Sequence, residues 1–77
     1  MMLHPMIKYS LKKLTGKHTP MRVDLGVGEC FVNDVKQLYF MAGDRMVITS
    51  PIVTHSSIPG GFLFNTKNST YMIKESV

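Results

Sequence analysis

The sequence predicts a mainly β protein: a small barrel or strongly curled antiparallel sheet of five or six strands, with one short N-terminal helix. Three observations carry this. From residue 21 to 73, apolar side chains either alternate with polar ones or gather in runs of four or five, which suits strands and is too short for helices. Turn-forming residues separate those runs, at Gly43-Asp44, across the stretch His55 to Gly61, and from Asn65 to Ser69. The chain has only 77 residues. A single domain of that size buries about 60% of its unfolded-chain surface, so short strands must curl over one another to make a core.

The predicted domain spans 1–77, with a helical segment over 1–16 and strands over 21–73. Pro5 to Leu14 reads as a short amphipathic helix, because Ile7, Leu11 and Leu14 recur at helical spacing and Pro5 suits a first turn. The competing reading takes Ile7, Tyr9 and Leu11 as alternating strand residues. Lys17-His18-Thr19-Pro20 then breaks regular structure. Met21, Val23 and Leu25 alternate with Arg22 and Asp24 as a half-wet strand, Gly26-Val27-Gly28 makes a turn or bulge, and Glu29 to Val32 forms a second short strand.

Asn33-Asp34 supplies the next turn. Leu38 to Ala42 is apolar on both faces, which predicts a central strand or one covered by the N-terminal helix. Gly43-Asp44 fits a tight hairpin, since glycine reaches positive φ freely. Arg45 to Val53 returns alongside, and Pro51, having no N–H, requires a bulge, an edge position or a bend at Ser50-Pro51. His55 to Gly61 reads as a mobile loop of the kind that binding sites use. Phe62 to Phe64 and Thr70 to Ile73 form a last hairpin, and Lys74 to Val77 a frayed tail.

Composition narrows the function classes. A hydrophobic fraction of 44% against 18% charged residues is that of a folded chain and not of a disordered one. The seven methionines fill core gaps or form an adaptable binding face. The lone Cys30 has no intrachain partner and reads as a buried structural thiol. The opening residues show no secretory pattern and no run reaches membrane-spanning length, which predicts a cytoplasmic protein; Asn68-Ser69-Thr70 is then turn chemistry and not a glycosylation site.

The net charge of +4 is unevenly spread. Lys8, Lys12, Lys13, Lys17 and Arg22 precede any acidic residue, so the positive field is N-terminal; it suits attraction of phosphates or of an acidic protein surface, or equally a solvated lysine face that keeps a small protein soluble. His4, His18, His55 and Cys30 lack metal-ligand spacing, and Gly26-Val27-Gly28 lacks the third glycine of a dinucleotide fingerprint. No metal, cofactor or catalytic residues are expected, and the chain is not expected to be an enzyme.

Two stretches carry resemblances. Thr49-Ser50-Pro51-Ile52-Val53 followed by Thr66-Lys67-Asn68-Ser69-Thr70-Tyr71 resembles the ending of many small strand-rich proteins of bacteria and their phages, although here a longer loop, His55 to Gly61, separates the two strands. That resemblance implies a bacterial or phage origin and a strand pair. Leu14-Thr15-Gly16-Lys17 with Val23-Asp24-Leu25 is similar to the opening of Sm-like RNA-binding barrels, whose later motifs are absent from this sequence.

The expected function is therefore that of a phage or mobile-element binding protein that docks on a bacterial host macromolecule and inhibits or modulates it, or that self-associates into a homo-oligomer. Its expected partner-binding residues are His55, Ile58, Phe62, Lys67 and Tyr71. The alternative is binding of RNA or single-stranded DNA by Lys12, Lys13, Lys17 and Arg22 with Tyr39 as a stacking platform.

Overall fold

The computed structural model describes residues 3, 6–16 and 22–76. These form seven strands: β1 (Tyr9–Gly16), β2 (Val23–Val32), β3 (Leu38–Ala42), β4 (Arg45–Ile48), β5 (Ile52–Ile58), β6 (Gly61–Thr66) and β7 (Ser69–Glu75). All pair antiparallel in one sheet of order β4-β3-β2-β1-β7-β6-β5, and the described residues contain no helix. The mainly β expectation holds. The helix and the closed barrel do not.

The segment expected to be helical is the central strand of the sheet. Tyr9 and Leu11 are buried while Ser10 and Lys12 are not, a period of two. The apparent helical spacing of Ile7, Leu11 and Leu14 comes from a bulge, because the β1–β7 register slips between Lys13 and Thr15 and leaves Leu14 as an extra residue. Pro5 and the expected break over Lys17 to Pro20 lie outside the described residues.

β2 is likewise one strand where two were expected. Its Val23–Gly28 half pairs with β1 and its Glu29–Val32 half with β3. The glycine-rich stretch between is a bulge: Leu11 faces Gly26 and Lys12 faces Asp24, so Leu25 is the extra residue. The Asp24 carboxylate accepts the Gly26 N–H at 2.9 Å and holds it there.

Asn33 organises the β2–β3 turn, its side-chain oxygen accepting the N–H groups of Val35 at 3.1 Å and Gln37 at 2.9 Å. Gly43-Asp44 makes the expected two-residue hairpin. Gly43 has φ 65° while Asp44 stays out of the left-handed region, the signature of a type II′ turn.

The expected run Arg45 to Val53 divides. Thr49 binds back to Leu38 twice, its N–H donating to the Leu38 carbonyl at 3.0 Å and its hydroxyl oxygen accepting the Leu38 N–H at 3.1 Å. The chain then bends through Ser50-Pro51 and begins β5 on the opposite edge of the sheet. The bend was one of the three solutions the proline allowed. The stretch His55 to Gly61 is correspondingly not a loop: it is most of β5 plus a Pro59-Gly60 turn, with Ile58 opposite Gly61. Lys74 and Glu75 belong to β7 and Ser76 donates its N–H to the Lys8 carbonyl at 2.9 Å, so these three tail residues are tied down.

A single sheet can enclose a core only by curling, and the near-equal extents of 31 × 24 × 23 Å show that it does. The inner face carries Tyr9, Leu11, Cys30, Leu38, Phe40, Phe64, Tyr71 and Ile73, all buried. Phe64 and Tyr71, opposite each other on β6 and β7, stack with ring centroids 5.1 Å apart. Curling brings backbones close at Gly28, where a Cβ would overlap the Met41 carbonyl, and at Gly61, where it would overlap that of Ile73. The curl stops short of closure: β4 and β5 each have a neighbour on one side only. One bond, from the Ile52 N–H to the Lys36 carbonyl at 2.9 Å, ties the start of β5 to the β2–β3 turn.

Candidate functional site

The outer face divides into a polar half and an apolar half. Over β5, β6 and β7, Thr70 donates its hydroxyl to the Asn65 side-chain oxygen at 2.7 Å, and the Asn65 amide donates to the Thr54 hydroxyl at 3.0 Å. This polar ladder faces water.

Over β2, β3 and β4 the outer face is apolar. Register aligns Phe31, Tyr39 and Ile48 in one row and Glu29, Met41 and Met46 in the next, with Val27 further along β2. Phe31 and Tyr39 stack with centroids 4.8 Å apart and an interplanar angle of 12°. Phe31 is 47% exposed, Met46 57% and Ile48 49%. Stacking thus fixes two rings without burying them. Of the two readings of the two-faced apolarity of Leu38 to Ala42, a central strand or cover by an N-terminal helix, the first holds: β3 lies between β4 and β2, and the described residues contain no helix to cover it. Sequence reasoning missed this surface, although the signal was present: Phe31, Tyr39 and Met41 are out of phase with the buried Cys30, Leu38 and Phe40.

The two edges of the sheet also differ. β5 carries Thr54, His55, Ser56 and Ser57; it is bulged at Val53 and followed by Pro59, and the bulge and the proline discourage strand addition. β4 pairs with β3 without irregularity and presents Met46 and Ile48.

The expected partner-binding residues are spread over the β5–β6–β7 side. His55 is exposed and meets Phe62 edge to face at 6.4 Å, and Lys67 is exposed in the β6–β7 turn. Ile58 is half-buried, and Phe62 is half-buried against the core. Tyr71 is buried under Phe64. His55 does line a cleft of about 350 Å³ with Val32, Lys36, Ile52 and Val53, beside Lys36 in the left-handed region at φ 64°. Of that set, the structure brings His55 and Phe62 together.

The alternative set is less convergent. Lys12 is exposed and stands opposite Asp24, Lys13 is half-buried, Arg22 is exposed just before β2, and Lys17 lies outside the described residues. Tyr39 faces Phe31, seven residues further along β2 from Asp24. That is about 20 Å of strand between the lysine and the ring platform.

Cys30 is 4% exposed, and burial pushes its thiol up to about 12. In the unfolded chain the thiol ionises near about 8.5. The folded state therefore favours the protonated form, and its contribution to stability is present below about pH 8.5 and fades as pH climbs toward 12. The native protein is expected to resist thiol reagents at pH 8 and to react once denatured. Its denaturant midpoint should fall from pH 7 to pH 10 by more than that of Cys30→Ala; equal falls would contradict the burial. Among the described residues, no three His, Cys, Asp or Glu side chains converge to hold a metal ion.

No family model, curated protein or solved structure matches this chain.

Proposed function

We propose that this is a non-catalytic binding protein that docks on another protein through the outer face of β2, β3 and β4. The observation that supports this reading is the stack of exposed Phe31 on half-buried Tyr39, bordered by Met41, Met46 and Ile48. Aromatic rings already held in place lose little freedom on binding, and methionines adapt to the surface they meet. The resemblance of the chain's ending to small bacterial and phage proteins makes a bacterial host macromolecule one partner this reading allows, beside a second copy of the chain. Nucleic acid is the rival partner, supported by Lys12 and Arg22 on an exposed flank.

The test is capture, from bacterial lysate to which an untagged copy of the chain has been added, by the wild-type protein and by Phe31→Ser, with and without nuclease. Docking through this face predicts protein capture that survives nuclease and is lost in the variant. Capture that disappears with nuclease, or that weakens with rising salt and with Lys12→Ala while ignoring Phe31→Ser, overturns it.

A further inference from the structure

We infer that the protein seated on this face is a second copy of the same chain, packed sheet against sheet about a two-fold axis. The inference rests on the docking reading above and names its partner.

Area is the first argument. The exposed parts of Val27, Phe31, Met41, Met46 and Ile48 amount to on the order of 450 Å² of side chain. Two copies of that patch, with Tyr39 and a polar rim added, reach the roughly 1,200 Å² at which specific interfaces begin. A patch of this size is roughly a tenth of the 5189 Å² surface, the share that a specific interface takes from a small protein.

Charge is the second. The groove formed by Lys8, Val27, Glu29 and Met41, with Glu29 between Val27 and Phe31 on β2, carries one cation and one anion. A two-fold operation brings the same patch against itself, so a surface bearing both signs complements its own copy, whereas a strongly acidic or basic partner would face a like charge. The rows on this face run without a bulge from Phe31 through Tyr39 to Ile48, which gives a regular surface for aligned sheet packing. The contact is isologous and closes at two copies.

The experiment is mass determination by light scattering and sedimentation over low to high micromolar protein, with wild type, Met46→Lys, Ile48→Lys and, as a control on the polar half, Val53→Lys. Folding of each is checked by far-ultraviolet circular dichroism and a urea melt; the three sites are exposed, so all should fold. Wild type and Val53→Lys are expected to be dimers, and the two β4 variants to dissociate about tenfold or more easily. A wild type that stays monomeric at high micromolar concentration overturns the second copy as partner, as does a dimer indifferent to both β4 substitutions. If such a monomer still captures another protein and loses it with Met46→Lys, the docking reading stands while this inference falls. If capture also ignores that substitution, both fall.

Discussion

Phe64→Ala is expected to lower the free energy of unfolding by about 3–5 kcal/mol, the cost of emptying a fully buried aromatic site. Phe64 has no exposed surface and stacks on Tyr71, so the substitution removes both the ring's burial and the partner that holds Tyr71 in place. Marginal stability for a chain of this length is on the order of 4–11 kcal/mol, and small domains sit near the low end. A large part of the population should therefore be unfolded at room temperature. Phe64→Leu, which keeps most of the volume, should cost about 1–1.5 kcal/mol. Urea titration followed by circular dichroism measures both. A loss below about 1 kcal/mol for the alanine variant would mean that the inner face is not packed as described.

Gly28→Ala is the other severe substitution, and its cause is different. A Cβ at this position would overlap the Met41 carbonyl oxygen and come within 2.9 Å of the Ala42 Cα, both on β3. These are backbone atoms and cannot swing aside as a side-chain tip does. β2 and β3 would have to part, loosening the Glu29–Met41 pair that begins their ladder. A cost of about 3 kcal/mol or more is expected, beyond ordinary overpacking. Gly43→Ala separates collision from conformation: nothing lies within 4 Å of a Cβ there, but φ is +65°. That strain alone should cost about 1–2 kcal/mol. If the two variants proved equally stable, the close approach at Gly28 would be in doubt.

What could be read from the sequence was the part governed by local chemistry. Gly43-Asp44 and Asn33-Asp34 announced their turns because the backbone geometry of a tight turn admits few residue types. The proline at 51 limited the chain to three solutions, one of which it took. What could not be read depended on register. The bulge at Leu14 displaced one residue and turned an alternating strand into something that mimicked a helix; a slip of one residue moves every later side chain to the other face. The same error offered a helix as one of two explanations for the apolarity of Leu38 to Ala42, and so hid the apolar outer face. His55 to Ile58 looked like a loop because Thr, His and Ser describe a wet edge strand as well as they describe a turn. Of the expected partner-binding residues, only His55 and Ile58 lie in that stretch; Tyr71, on β7, is buried and stacks on Phe64.

The arrangement of β1 between β2 and β7 has a consequence for how the molecule is made. Tyr9 pairs with Glu75, so the strand at the middle of the sheet waits for β7 to be synthesised. A ribosome releasing this chain exposes β1 with one flank open until β7 emerges, and that pairing joins the two halves of the sheet. A truncation that removes only β7 would thus cut the sheet through its centre.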